Sequence, residues 1–238
     1  MADNPDHGAL RSRNPADSVA TRNETNAYLA SIREKRQSVA STGRLIFALD
    51  ATASRQPTWE LACQLQVQMF EEVRTIGGLS VQLVYYRGLD ECRASKWIAR
   101  PDHLSGLMEK IDCRMGHTQI GKILTHTQRE TKLLKVSALT FVGDAMEENP
   151  DALAHEAGEL GRLGVPVFVF QEGNSREVEQ TFREIARLTH GAYCRFDPGA
   201  ARQLAELLKA VAVYATGGLT ALANQNSAIA TKLLGQLK

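Results

Sequence analysis

Three oxygen-bearing side chains follow a single apolar run at alternate positions, and their chemistry suits a metal ion. Residues 45–49 are continuously apolar, and Asp50, Thr52 and Ser54 come directly after them. One carboxylate and two hydroxyls at this spacing can surround a common point. Oxygen ligands of this kind suit Mg²⁺ or Mn²⁺, which take octahedral geometry and keep several waters or a partner's oxygen. The sequence therefore predicts a divalent-metal site that begins at Asp50.

Two further positions carry the same chemistry. Thr118 lies in the glycine-bearing segment GHTQIGK, and Asp144 follows the apolar run at residues 136–142. If the apolar runs before Asp50 and Asp144 are parallel strands, both acids lie at the carboxyl edge of one sheet, where open α/β sheets bind their ligands. A threonine before a helix is also common as an N-cap, and this second interpretation of Thr118 stays open.

The elements that must position these residues alternate along the chain. Apolar or alternating patterns predict strands at residues 45–50, 79–86, 94–99, 136–142, 165–170 and 191–196. Helical spacing of apolar residues predicts helices between most of these strands. Together they predict an α/β fold that is Rossmann-like and doubly wound: a mostly parallel central sheet, helices on both faces and one antiparallel edge strand in a hairpin.

The sequence also predicts three segments. Residues 1–40 are rich in Asn, Asp and Pro and form a flexible N-terminal arm with a short helix at residues 21–39. Residues 41–216 hold the α/β domain. Residues 217–238 begin at a glycine pair and form a C-terminal amphipathic helix.

Composition and charge exclude several classes of partner. The net charge of +1 on 238 residues, with interspersed acids and bases, favours neither nucleic acid nor an anionic membrane. No apolar segment is typical of a signal peptide, and none reaches the roughly 18 residues of a membrane span. The four cysteines are scattered and form no C-x-x-C pair, so reduced thiols are expected. These features predict a cytoplasmic protein.

The spacing of the oxygen ligands resembles the metal-ion-dependent adhesion site (MIDAS) of von Willebrand factor type A domains, in particular bacterial-type cytosolic ones. The motif D-x-S/T-x-S after the first strand is matched by Asp50, Thr52 and Ser54. The threonine of a G-x-T loop is matched by Thr118, and the aspartate after the fourth strand by Asp144. The resemblance extends over residues 43–216 and includes the order of the elements.

This resemblance implies one divalent ion, Mg²⁺ or Mn²⁺, held by Thr52, Ser54 and Thr118, with Asp50 and Asp144 acting directly or through water. Few direct carboxylates leave the ion under-neutralised, so a carboxylate from a partner protein can complete its shell. The implied function is a non-catalytic protein-interaction module. An ATPase or a chaperone-like machine is the partner class that the resemblance implies.

Two alternatives of other classes stay open in the sequence. A haloacid-dehalogenase-like phosphatase would use Asp50 as its nucleophile and Asp144 as a magnesium ligand. That family places a second acid two residues after the nucleophile, where this chain has Thr52, and losing a general acid costs about 10²–10⁴-fold in rate. The other alternative is a structural or assembly protein in which the metal motif is vestigial and the terminal helices make the contacts.

Overall fold

A single six-stranded sheet carries the residues predicted to bind metal. Its strands are β1 (Gly43–Asp50), β2 (Leu79–Arg87), β3 (Glu91–Ala94), β4 (Ala138–Gly143), β5 (Val167–Glu172) and β6 (Ala192–Phe196). Their order in the sheet is β3-β2-β1-β4-β5-β6. All neighbours are parallel except β2 and β3, which form an antiparallel edge hairpin. The predicted sheet is confirmed.

This computed structural model describes residues 43–57, 59, 78–99, 106–196 and 201–237, together with residue 27. Apart from residue 27, these residues belong to the unit Thr42–Lys238. The predicted N-terminal arm with its helix at 21–39 lies outside the described residues, except residue 27, and so does most of the segment between the first two strands.

Strand β1 lies at the centre because both of its faces are apolar. All eight of its residues are buried. Leu45, Phe47 and Leu49 point into one core cluster, whereas Ile46 and Ala48 point into the other. A strand covered on both sides needs a continuous apolar run instead of alternation, which is the pattern that the sequence shows.

In the described part of the chain, five α-helices cover the two faces of the sheet. They are α1 (Ile120–Leu133), α2 (Pro150–Arg162), α3 (Arg176–Leu188), α4 (Ala201–Ala223) and α5 (Ala228–Leu234). Helices α1, α2 and α3 bury their apolar faces in one core cluster, and α4 and α5 bury theirs in the other. Helix α2 begins with a side-chain cap, because Asn149 Oδ1 accepts hydrogen bonds from the N–H groups of Asp151 and Ala152.

The edge hairpin is present, but its second strand is displaced from the prediction. The sequence predicts a strand at residues 94–99, whereas β3 ends at Ala94 and only Ile98 forms a further bridge, to Val81. The cause is Gly88, whose φ of 63° closes the turn early and pairs Arg87 with Glu91. A left-handed turn residue of this kind favours glycine.

Helix α4 corrects the expectation that no segment is apolar enough to span a membrane. Its stretch Arg202–Ala223 is long and apolar enough to cross a membrane, judged by length and composition alone. Apolar side chains of α4, among them Leu204, Leu208 and Val211, are buried in the core cluster that also contains Phe47 of β1. Packing against the sheet accounts for the apolar composition of α4.

The chain beyond the glycine pair also contributes to the core. Gly218, with a φ of 64°, places a kink inside α4. After the kink, Leu222, Ala230 and Leu233 are fully buried in the same cluster as α4. The predicted limits of the three segments stay predictions, and deletion of residues 218–238 would remove part of this core.

The segment that leads to Thr118 packs backbone to backbone on the hairpin turn. The N–H of His117 donates to the carbonyl of Gly88 at 3.2 Å. A Cβ atom added to Gly116 would lie 1.9 Å from that same carbonyl oxygen. Only glycine therefore allows this close approach.

We expect Gly116→Ala to destabilise the domain by about 1–3 kcal/mol, because the added methyl group forces two backbone segments apart. Gly158→Ala is the matched control, since Gly158 lies inside α2 with nothing within 4 Å of the added Cβ. This control should stabilise the protein by about 0.5–1 kcal/mol, because alanine is the better helix former. Urea unfolding measures both changes, and equal effects would contradict the close packing at Gly116.

Candidate metal centre

Asp50 is the fixed point of the candidate site. It ends β1 and is 0% exposed. Its Oδ1 accepts a hydrogen bond from the N–H of Thr52 at 2.7 Å, and its Oδ2 accepts one from the hydroxyl of Tyr86 at 2.9 Å. Both oxygens of the carboxylate are therefore held, one by the following turn and one by the neighbouring strand β2.

The two hydroxyls of the motif lie side by side. Thr52 Oγ1 and Ser54 Oγ are 3.0 Å apart, across the start of a short 3-10 turn at Ala53–Arg55. Thr52 is buried, whereas Ser54 is exposed. The hydrogen bond from Thr52 to Asp50 folds the turn back on the strand end, so the hydroxyl pair stays beside the carboxylate.

Thr118 does not cap the helix that follows it. The N-cap residue of α1 is Gln119. The hydroxyl of Thr118 instead accepts a hydrogen bond from the N–H of Glu147 at 3.0 Å, and the N–H of Thr118 donates to Glu147 Oε2 at 3.1 Å. This pair of bonds fastens the Thr118 loop to the loop that follows Asp144.

The Thr118 loop is also joined to the motif itself. The N–H of Arg114 donates to the carbonyl of Ala51 at 3.0 Å, and Arg114 forms a parallel bridge with Thr52. The chain from Arg114 to Thr118 therefore starts beside the motif and ends beside the loop after β4.

Asp144 contributes a carboxylate oxygen that lacks a partner. It follows β4, and β4 pairs with β1 so that Leu49 lies opposite Val142. A Cβ atom added to Gly143 would lie 3.6 Å from Asp50 Cβ, which shows how closely the two strand ends approach. Asp144 Oδ1 is buried and has no hydrogen-bond partner within the described part of the chain.

Arg55 brings a buried positive charge to the same place. Its side chain is 1% exposed and forms an ion pair with Glu172 at the end of β5. It also interacts electrostatically with Asp144 and Asp50. Among the described residues in these interactions, three carboxylates face one guanidinium, and a divalent cation would balance the excess negative charge.

Burial shifts the titration of the groups at the site. Burial raises the pKa of Asp50, the charge of Asp144 adds to this rise, and the hydrogen bonds from Thr52 and Tyr86 oppose it. Burial also raises the pKa of Tyr86 well above its usual range, with a further rise from the charge of Asp50. Tyr86 therefore stays a hydroxyl donor to Asp50 at neutral pH.

The donor set fits an oxygen-coordinated divalent ion. Among the described residues no group of three or more His, Cys, Asp and Glu side chains has the geometry to hold a metal. A metal site at Asp50 therefore depends on hydroxyl oxygens as well as carboxylates, and such ligands suit Mg²⁺ or Mn²⁺. The unpartnered oxygen of Asp144 is the feature of this structure that a cation would satisfy.

The structure brings the predicted residues together at the carboxyl edge of the sheet, in three linked loops. Direct hydrogen bonds connect the residues of the first loop, and the backbone contacts of Arg114 and Glu147 tie in the others. The five predicted residues are Asp50, Thr52, Ser54, Thr118 and Asp144. Their role as metal ligands stays a prediction.

Several residues that hold the site are missed by sequence reasoning. Tyr86 and Arg55 have no signal beyond their position at a strand end and directly after the motif. Glu147 is exposed and Glu148 is half-buried, and both also hold neighbouring segments in place. Glu147 binds the Thr118 loop, and Glu148 accepts from Ile120 N–H at 2.6 Å, so it satisfies the N-terminus of α1.

The geometry at Asp50 does not favour the phosphatase alternative. A carboxylate nucleophile must reach its substrate, whereas Asp50 is fully buried and both of its oxygens accept hydrogen bonds. Thr52 occupies the position where that chemistry needs an acid, and its hydroxyl lies next to Ser54.

The chain resembles known proteins in structure but not in sequence. No family model matches the sequence, and no curated protein matches it either. Solved structures do match, at low sequence identity.

Three of these structures illustrate the likeness. A von Willebrand factor type A protein from Catenulispora acidiphila has a TM-score of 0.61 at 16% identity, over 74% of this chain and 43% of that one. The SpRpn10 VWA domain has a TM-score of 0.57 at 11% identity, over 71% of this chain and 95% of that one. Proximal thread matrix protein 1 from the mussel byssus, with a zinc-occupied MIDAS motif, has a TM-score of 0.57 at 16% identity. The match covers 73% of this chain and 46% of that one.

The likeness concerns the fold. This chain spans less than half of the Catenulispora and mussel chains, whereas it spans nearly all of the SpRpn10 domain. At these identities the comparison carries no residue roles. The fold of this chain is that of von Willebrand factor type A domains.

Proposed function

We propose that this protein is a non-catalytic interaction module that binds a divalent cation and uses it to dock an acidic residue of a partner protein. The observation that carries the proposal is Asp144 Oδ1, a buried carboxylate oxygen without a hydrogen-bond partner in the described chain. An unsatisfied buried polar group costs about 1–3 kcal/mol, and more when it is charged. A bound cation would supply the missing interaction.

The proposed shell has a held side and an open side. Thr52, Ser54 and Thr118 would hold the ion through their hydroxyls, while Asp50 and Asp144 would act directly or through water. Because Ser54 is exposed, the site is accessible from solvent. A bound divalent ion there attracts an anionic oxygen, and a partner's carboxylate is such a ligand.

The structural neighbours support a protein partner in general terms only. Beside SpRpn10, they include the human COPII-coat protein Sec24c, with a TM-score of 0.53 at 13% identity, over 74% of this chain and 32% of that one. The mussel structure with its zinc-occupied MIDAS motif supports a divalent ion on this fold and makes Zn²⁺ a competitor to test. An ATPase or chaperone-like partner remains a prediction of the sequence resemblance.

We expect divalent metal to raise the thermal unfolding midpoint of the wild-type protein. If the ion binds with a Kd of about 1 mM, then about 10 mM Mg²⁺ or Mn²⁺ stabilises the fold by roughly 1.4 kcal/mol. For a domain of this size the midpoint rises by about 3–6 °C. Asp144→Asn and Ser54→Ala should abolish the rise, because each removes an oxygen ligand.

Asp90→Asn is the control for this experiment. Asp90 is a carboxylate at the same edge of the sheet, but it is highly exposed and pairs with Lys122. This variant should keep the full metal-dependent rise. A rise of equal size in Asp144→Asn would show that the ion binds elsewhere.

We expect the metal-loaded protein to select acidic peptides. The immobilised protein is offered a phage library of random peptides in Mn²⁺ and, separately, in EDTA. Clones that depend on Mn²⁺ should share an Asp or Glu at one position, because that carboxylate completes the shell of the ion. Asp50→Asn protein should select none of them, and clones without a shared acid would contradict the docking mechanism.

A further inference from the structure

A second binding feature lies beside the candidate metal centre, between the first turns of α2 and α3. It is a cleft of about 510 Å³. One wall comes from residues 146–148, which follow Asp144, and the other two come from the helices. Glu147 connects the cleft to the metal centre, because its N–H donates to the Thr118 hydroxyl at 3.0 Å.

The cleft is acidic, and none of its lining residues in the described part of the chain is basic. Its acidic lining residues are Glu147, Glu148, Asp151, Glu177 and Glu184. Glu184 forms an ion pair with Arg187 at 2.6 Å, and Glu147 Oε2 lies 3.1 Å from Nδ1 of His117. Asp151 and Glu177 form no ion pair within the described ranges, so the cleft keeps an excess of negative charge.

Helix electrostatics accounts for part of this arrangement. Asp151 and Glu177 lie in the first turns of α2 and α3, where a carboxylate favours the helix dipole. The same effect does not explain Glu184, which is two turns further along α3. Glu147 and Glu148 bind the Thr118 loop and the first turn of α1, and they add their negative charge to the cleft.

A hydroxyl in the wall of the cleft points independently to a ligand. Thr181 lines the cleft and is 7% exposed. Unlike Thr127 and Thr189, whose hydroxyls donate to carbonyls within their own helix or at its end, it has no hydrogen bond in the described part of the chain. The oxygen is not fully enclosed by protein, so a ligand group in the cleft can form a hydrogen bond with it.

The lining chemistry distinguishes between possible cations. Among the described residues no three of these acids are placed to hold a metal ion. The lining adds one hydroxyl, that of Thr181, whereas the motif at Asp50 is accompanied by three. The rest of the lining is largely apolar, with Met146, Pro150, Ala154 and Ile185. An apolar wall beside carboxylates suits a side chain with an aliphatic stem and a cationic end, as in arginine or lysine.

We propose that the cleft binds a basic side chain, arginine or lysine, of the same partner segment whose acidic residue docks at the metal. The acidic rim would pair with the cationic end, Thr181 would bind it by its hydroxyl oxygen, and the apolar wall would pack on the stem. The partner motif is therefore an acid and a base in one segment. The link to the metal rests on the proposed function, whereas the binding of a base to the cleft does not.

The test uses three amidated, fluorescein-labelled peptides and fluorescence anisotropy. The first is Gly-Ala-Arg-Leu-Arg-Ala-Gly, and the second carries the neutral isostere citrulline in place of both arginines. The third adds an aspartate three residues after the second arginine. Each is titrated with the full chain in EDTA and in Mg²⁺. Spermidine serves as a competitor that is positively charged but has no peptide backbone.

We expect the arginine peptide to bind equally in EDTA and Mg²⁺, and to bind about tenfold more tightly than the citrulline peptide. Asp151→Asn with Glu177→Gln should weaken it about tenfold, and Thr181→Val about threefold. The control is Glu159→Gln with Glu179→Gln, which removes the same charge from the same two helices outside the cleft. It should change the affinity less than about twofold.

The outcomes separate this inference from the proposed function. Equal binding of the citrulline peptide, or equal loss in the control variant, would overturn the cleft. Binding of spermidine as tight as that of the arginine peptide would replace the peptide segment with a free polyamine and overturn the proposal. If the arginine peptide binds as expected but the aspartate peptide gains nothing from Mg²⁺, the cleft stands and the metal docking fails.

Discussion

The burial of one carboxylate organises this protein's candidate site. Asp50 lies at the end of a strand covered on both faces, so it has no exposed surface and depends on hydrogen bonds from Thr52 and Tyr86. A buried charge without such bonds would be strongly destabilising. The bond from Thr52 also folds the Thr52–Ser54 turn over the strand end. The hydroxyls of Thr52 and Ser54 thereby lie at the edge of the sheet.

The electrostatics around Asp50 explain why this edge suits a cation. Asp144 approaches from β4 with one oxygen unpartnered, and Arg55 is buried between acids of three strands. The guanidinium offsets some of the negative charge and keeps the cluster compatible with folding. The negative charge that remains is the basis of the proposed divalent-ion site. On the far side of Glu147, the acidic cleft extends the negative field towards α2 and α3.

Much of the fold follows from local patterns in the sequence. Continuous apolar runs fix β1, β4 and β5, and the Asn149-Pro150 pair fixes the start of α2 through its side-chain cap. The site residues at 50, 52 and 54 share one turn, so their neighbourhood is predictable. Their support is not, because Tyr86, Arg55 and Glu147 reach the site only through tertiary packing. The second strand of the hairpin starts earlier than predicted because of a local feature, the left-handed turn at Gly88.

The central claim is that one divalent ion binds at Asp50 and its companions, and counting bound ions tests it most directly. Free Mn²⁺ is measured by electron paramagnetic resonance while the wild-type protein and the Thr52→Val variant are titrated with it. The account predicts one bound Mn²⁺ for each wild-type chain and a loss of that ion in the variant, which keeps the shape of the side chain but not its hydroxyl. An equal number of bound ions in both proteins, or none in the wild type, would contradict it.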